Sequence, residues 1–158
     1  IALTGIEGIL GYRVQRQDER GEKERNEVMP VIQALKSSGW TFASHSYSHN
    51  QRFLNNTIDY NFLAKDLSLW ANIIEPLVGH TDAFIGPFGQ IFSEKDPRRQ
   101  QLIDAGFHTL YGVGMDGYTH FFDDHLVMNR TNLDGYRLNH NPKRLLNIYG
   151  ISIDPSFN

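Results

Sequence analysis

Short runs of apolar, β-branched and aromatic residues alternate along this chain with longer stretches whose apolar residues recur every three or four positions. That alternation leaves few architectures open. Ile1-Ala2-Leu3 runs into Thr4-Gly5 like the end of a buried strand, and glycines punctuate a loop over 5–13. Val28, Ile32 and Leu35 then share one face of a helix predicted over 21–38, which Gly39 stops. A strand is expected at 40–44. A second helix is expected over 58–77, where Phe62, Leu63, Leu67, Trp70, Ile73 and Ile74 keep helical spacing. A strand at 82–88, a helix at 96–105 halted by Gly106, and a strand at 107–113 follow. Beyond these the pattern weakens to a strand around Leu126-Val127-Met128, turn chemistry at 132–135 and a short helix over 142–146. Strand and helix in alternation imply an α/β layer architecture with parallel strands. In such folds chemistry gathers at the carboxyl ends of the strands, which places 44–49 and 87–90 on one rim.

Composition narrows the function classes. The 158 residues fit a single domain, and 15 basic against 18 acidic side chains give a net charge of −3. That balance argues against a nucleic-acid partner, which selects for basic excess. No run approaches the roughly 18 apolar residues of a membrane span. With no cysteine, disulfides, thiolate metal sites and a cysteine nucleophile are excluded. The glycines of 5–11 follow neither phosphate-loop spacing nor the Lys-Ser or Lys-Thr that such a loop requires.

Ser44-His45-Ser46-Tyr47-Ser48-His49 is the most informative stretch. Histidines four apart in a helical turn just beyond a strand project from one face and can converge on one ion. Zinc accepts imidazole nitrogen at about 2.0–2.1 Å, and a catalytic site uses three protein ligands plus an open position. The hydroxyls of Ser44, Ser46 and Ser48 are placed to orient the rings. Spacing alone fits a surface coincidence better than a ligand pair; the position at a strand end with small polar neighbours brings the ligand reading level with it. No glutamate follows His45, so the metalloprotease pattern is absent.

The His-Ser-Tyr-Ser-His run after Gly39-Trp40-Thr41-Phe42-Ala43 resembles the second motif of the polysaccharide deacetylases, the NodB-like carbohydrate esterases. Phe84-Ile85-Gly86-Pro87-Phe88-Gly89 resembles their third motif. The segments Ala2–Gly5, Gly11–Arg13 and Asn129–Arg137 resemble those of one bacterial branch. The resemblance implies that residues 1–158 form one domain, part of a distorted (β/α) barrel lacking its N-terminal strand or strands. It implies removal of N-acetyl groups from amino-sugar polymers such as peptidoglycan or chitin-like glycans, outside the cell or in its envelope. His45 and His49 would bind a divalent metal, zinc above others. Pro87, Phe88 and Gly89 would line the acetyl pocket, with the Phe88 backbone N–H as oxyanion donor.

The chain departs from the family in three ways. The first motif, Thr-Phe-Asp-Asp or similar, supplies the base and third metal ligand but does not occur between Ile1 and His45. Its expected place is upstream of Ile1, so the chain is expected to be the C-terminal part of a longer domain and inactive by itself. Ile85 stands where many members carry the arginine that orients the catalytic aspartate. The late histidine motif has no clear match; His125 and His140 are candidates by position, and each reads better as an ordinary loop histidine. Phe121-Phe122-Asp123-Asp124 imitates the first motif out of order and reads as an exposed acidic turn. The competing reading is a degenerate deacetylase-like module that binds glycan or is structural. An unrelated metallohydrolase would need a third ligand from Asp82, Asp116 or Asp124.

Overall fold

The computed structural model describes residues 1–54, 56–114, 118–131 and 135–140. It is a mixed α/β structure with one six-stranded, mostly parallel sheet. The strands are β1 (Ala2–Leu3), β2 (Ala43–Ser44), β3 (Ala83–Ile85), β4 (Thr109–Val113), β5 (Thr119–Phe121) and β6 (Leu126–Arg130). Their order is β1-β2-β3-β4-β6-β5; β5 alone runs antiparallel to its neighbour. The helices are α1 (Glu19–Ser37), α2 (Tyr60–Leu69), α3 (Glu75–Val78), α4 (Pro97–Asp104) and α5 (Gly135–His140). Of the turn expected at 132–135 only Gly135 is described, and the helix expected at 142–146 lies outside the described residues.

Register explains the core. Leu3, Ser44, Phe84, Leu110 and Val127 are paired in succession across five parallel strands. In-register neighbours point to the same side of a sheet, and all five are buried. The helices cover this row with Val28, Ile32, Leu63, Leu67, Trp70, Ile74 and Leu102. α1 packs beside α3, and α2 beside α4.

The strand expected at 82–88 is shorter, at Ala83–Ile85, and β5 and α5 are not among the expected elements. Two further elements differ from expectation for identifiable reasons. The strand expected at 40–44 pairs only at Ala43–Ser44, because the Phe42 carbonyl accepts from the Thr81 hydroxyl instead of a strand N–H. Trp40 is exposed. The helix expected over 58–77 starts at Tyr60, where the Asp59 side chain caps the Phe62 N–H. It then widens into a π turn at Trp70–Ile74, in which the Glu75 N–H reaches the Trp70 carbonyl. Pro76 lacks an N–H and its ring crowds the carbonyl four residues earlier, so a widened turn just before it accommodates the proline without breaking the helix.

Phe84 is fully buried at the middle of the in-register row, its ring 5.5 Å from that of Phe107. Replacing it with alanine is expected to cost about 3–5 kcal/mol, as a lower midpoint in urea denaturation. A shift below about 1 kcal/mol would place the core elsewhere.

Candidate functional site

β2 ends at Ser44, and the chain continues into His45 with one more ladder bond, from the His45 N–H to the Leu3 carbonyl at 2.8 Å. The segment that follows is an irregular loop rather than the expected helical turn. Ser46 and His49 both adopt left-handed backbone angles, with φ of 58° and 46°. The loop's N–H groups find side-chain acceptors instead of helical carbonyls. The Ser46 hydroxyl accepts from the His49 N–H at 2.8 Å, and the Asp66 carboxylate accepts from the N–H groups of Tyr47 and Ser48 at 2.8 and 2.9 Å. The Ser48 hydroxyl also donates to Asp66. Serine and aspartate compete with helix geometry in this way wherever they can close short loops. The serines therefore shape the loop backbone and do not hold the rings. Ser44 is a different case, since its Oγ is buried without a hydrogen-bond partner among the described residues.

The loop brings the two histidines together by a route other than helical spacing. Their ring centroids lie 4.7 Å apart, edge to face at 64°. Nδ1 of His45 is 2.6 Å from the Ile85 carbonyl. A carbonyl only accepts, so Nδ1 carries the proton and Nε2 of the neutral ring keeps its lone pair. Burial lowers the His45 pKa below its ordinary 6.5; the Ile85 carbonyl opposes this, while His49 and Arg130 add to the lowering through their charge.

Pro87–Gly89 forms a tight turn just past β3. Its backbone bonds run from the Gly89 N–H to Gly86 and from the Gln90 N–H to Pro87, and neither uses the Phe88 N–H. Phe88 holds a φ of 56°, is 44% exposed, and sets its ring 4.7 Å from that of His49. The flanking glycines are required by space. A Cβ on Gly86 would lie 2.0 Å from the Gln90 carbonyl oxygen, and one on Gly89 2.5 Å from the Val113 Cβ. A cleft of about 520 Å³, lined in part by Gln90, Ile91, Tyr118 and Asn129, adjoins the turn.

The other candidates are distributed elsewhere. Asp82 precedes β3 and bonds the Thr109 hydroxyl; Asp124 and His125 precede β6 and bond each other. All three lie at the amino ends of the strands, across the sheet from His45. His140 stacks on Tyr136 at 4.0 Å within α5. Asp123 and Asp124 form the exposed turn between β5 and β6. Asp116 lies outside the described residues.

Two further residues of the rim carry a sequence signal. Asp66 is an acid on the buried stripe of α2, between Leu63 and Trp70. Arg130 is a cation at the carboxyl end of β6, and its half-buried guanidinium approaches the Gly86 carbonyl at 3.5 Å. The histidine pair fits a divalent ion as two of the three protein ligands such a site uses; no group of three histidine or carboxylate side chains suited to a metal occurs among the described residues. No family model matches the chain, and no curated protein matches it.

Two measurements test this geometry. His45 has a folded pKa below its unfolded value, so the folded state resists protonation. Its contribution is intact above about pH 6.5 and is lost as pH falls from there through the folded pKa. An NMR titration of the ring should therefore give a midpoint under 6.5, and a midpoint at or above it contradicts the burial described. Asp66→Ala strips the acceptor from two backbone N–H groups and is expected to cost about 2 kcal/mol or more, with Asp66→Asn losing less. Equal urea midpoints for the parent and Asp66→Ala would show that the carboxylate does not hold the loop.

Proposed function

We propose that this chain is part of a metal-dependent polysaccharide deacetylase-like domain, a distorted (β/α) barrel that hydrolyses N-acetyl groups on amino-sugar polymers outside the cell or in its envelope. The observation that carries the proposal is the pairing of His45 and His49 at the carboxyl rim, directly against the Pro87–Gly89 turn. The two segments with the strongest family resemblance are thus neighbours in space, as a shared site requires.

His45 and His49 would hold the ion, for which zinc suits two neutral imidazoles best. When bound, a divalent ion supplies a Lewis acid and an acidified water. The Ile85 carbonyl keeps His45 in the tautomer whose Nε2 can ligate. Pro87, Phe88 and Gly89 would wall the acetyl group. The Phe88 N–H, unused by the turn, would meet negative charge developing on the amide oxygen. The cleft beside the turn gives neighbouring sugar units a place to lie. The general base and third ligand are assigned to an aspartate pair upstream of Ile1. No helix among the described residues is long and apolar enough to cross a membrane.

A second reading, a catalytically degenerate module that binds glycan, is favoured by one observation. Ile85 gives the site its carbonyl, and its aliphatic side chain carries no charge where many members of the family carry an arginine.

His45→Ala and His49→Ala should each weaken zinc binding by about tenfold or more in calorimetry, since each removes a ligand. Undiminished zinc affinity in either variant removes that histidine from the site. Amine release from an N-acetylglucosamine oligomer by the full-length protein then separates enzyme from binding module.

A further inference from the structure

We propose that Arg130 forms a carboxylate-binding position at the histidine rim, so that a small carboxylate docks there with its two oxygens on the guanidinium. The inference stands apart from the metal reading. It rests on a charge that no acidic side chain pairs among the described residues.

Arg130 ends β6, and its backbone is fixed: its carbonyl accepts from the Gly114 N–H at 3.0 Å, and the Thr131 hydroxyl returns a bond to the Gly114 carbonyl. From there the side chain passes the end of β4 to the Gly86 carbonyl, beyond β3. That contact, at 3.5 Å, is at the long limit for a hydrogen bond. Nε is buried and has no hydrogen-bond partner among the described residues. No acidic side chain forms an ion pair with Arg130 among the described residues, although most arginines near acids in this chain are paired, Arg16 with Asp18 and Arg98 with Asp96 among them.

A guanidinium offers five N–H donors in a planar fork and stays charged in proteins. Withdrawing it partly from water without a counter-ion is costly, and the burial at this site pulls its pKa down. Asp66, the carboxylate described at this rim, is taken up by Tyr47 and Ser48, and His45 feels Arg130 as a repulsive neighbour. An anion is what the position lacks among the described residues. A single arginine suits a singly charged planar anion better than a phosphate, and a carboxylate matches the fork with two parallel bonds. Ile85 offers no charge of its own, so Arg130 is the cation that faces this part of the rim.

The test uses the 158-residue chain stripped of metal by a chelator, titrated with sodium acetate at constant ionic strength. The Arg130 Nε–H signal is followed by NMR. A saturable shift is expected, lost or weakened at least about tenfold in Arg130→Gln, the size that removal of a charge-assisted hydrogen bond implies. Arg130→Lys keeps the charge without the fork and should fall between. A shift that grows without saturating in the parent chain overturns the proposal, as does equal acetate affinity in Arg130→Gln. Zinc calorimetry on the same samples keeps the metal reading separate. The source of the natural carboxylate follows from a longer chain carrying the expected upstream aspartates. Acetate excluded there, and readmitted when those aspartates become alanine, assigns the position to a side chain. Acetate bound equally in both chains assigns it to a free ligand.

Discussion

A buried carboxylate on α2 gives the histidine loop its shape, and the rest of the rim follows from that. Asp66 is 2% exposed and takes its negative charge into the protein because it accepts three bonds from Tyr47 and Ser48. Those N–H groups would otherwise need carbonyls four residues back, that is, a helix. Once they are satisfied from the side, Ser46 and His49 can enter left-handed conformations that cost roughly 1–2 kcal/mol each. That backbone, and not helical spacing, sets His49 beside His45. The carboxylate is itself placed by Leu63, Leu67 and Trp70, which fix the face that α2 buries.

The strand and helix alternation was legible because both periods were strongly written. Phe84, Leu110 and Val127 fall in register as their runs suggested, and Val28 and Ile32 bury the predicted face of α1. The loop conformation was not legible. His45 and His49 at a separation of four match a helical turn, and nothing in the six residues distinguishes that from a loop braced by Asp66 from another element. The π turn was likewise hidden, since Pro76 predicts disruption without specifying whether the helix kinks, ends or widens. Long-range partners account for the remaining misses. The Thr81 hydroxyl that shortens β2 and the Ile85 carbonyl that orients His45 are both tertiary contacts, 39 and 40 residues from their partners in sequence.

The two ends of the sheet differ in how well their polar groups are satisfied. At the amino ends, His80 meets Glu75, Asp82 meets Thr109, His108 meets the Asp124 carbonyl, and His125 meets Asp124. Each of these groups has a partner within the chain, although the buried Nε2 of His125 has none among the described residues. At the carboxyl ends the pattern reverses. Three of the five non-glycine residues with positive φ among the described residues, Ser46, His49 and Phe88, lie here. So do the Ser44 hydroxyl and the Arg130 Nε, both buried without a hydrogen-bond partner among the described residues. Strain and unmet polar groups each lower stability, and a fold tolerates them together where a bound species recovers the loss. The same sheet could have buried leucine at 44 and paired Arg130 with an acid on β4. That it does neither among the described residues, on the rim where parallel α/β sheets bind ligands, supports the proposed site on grounds other than any single motif.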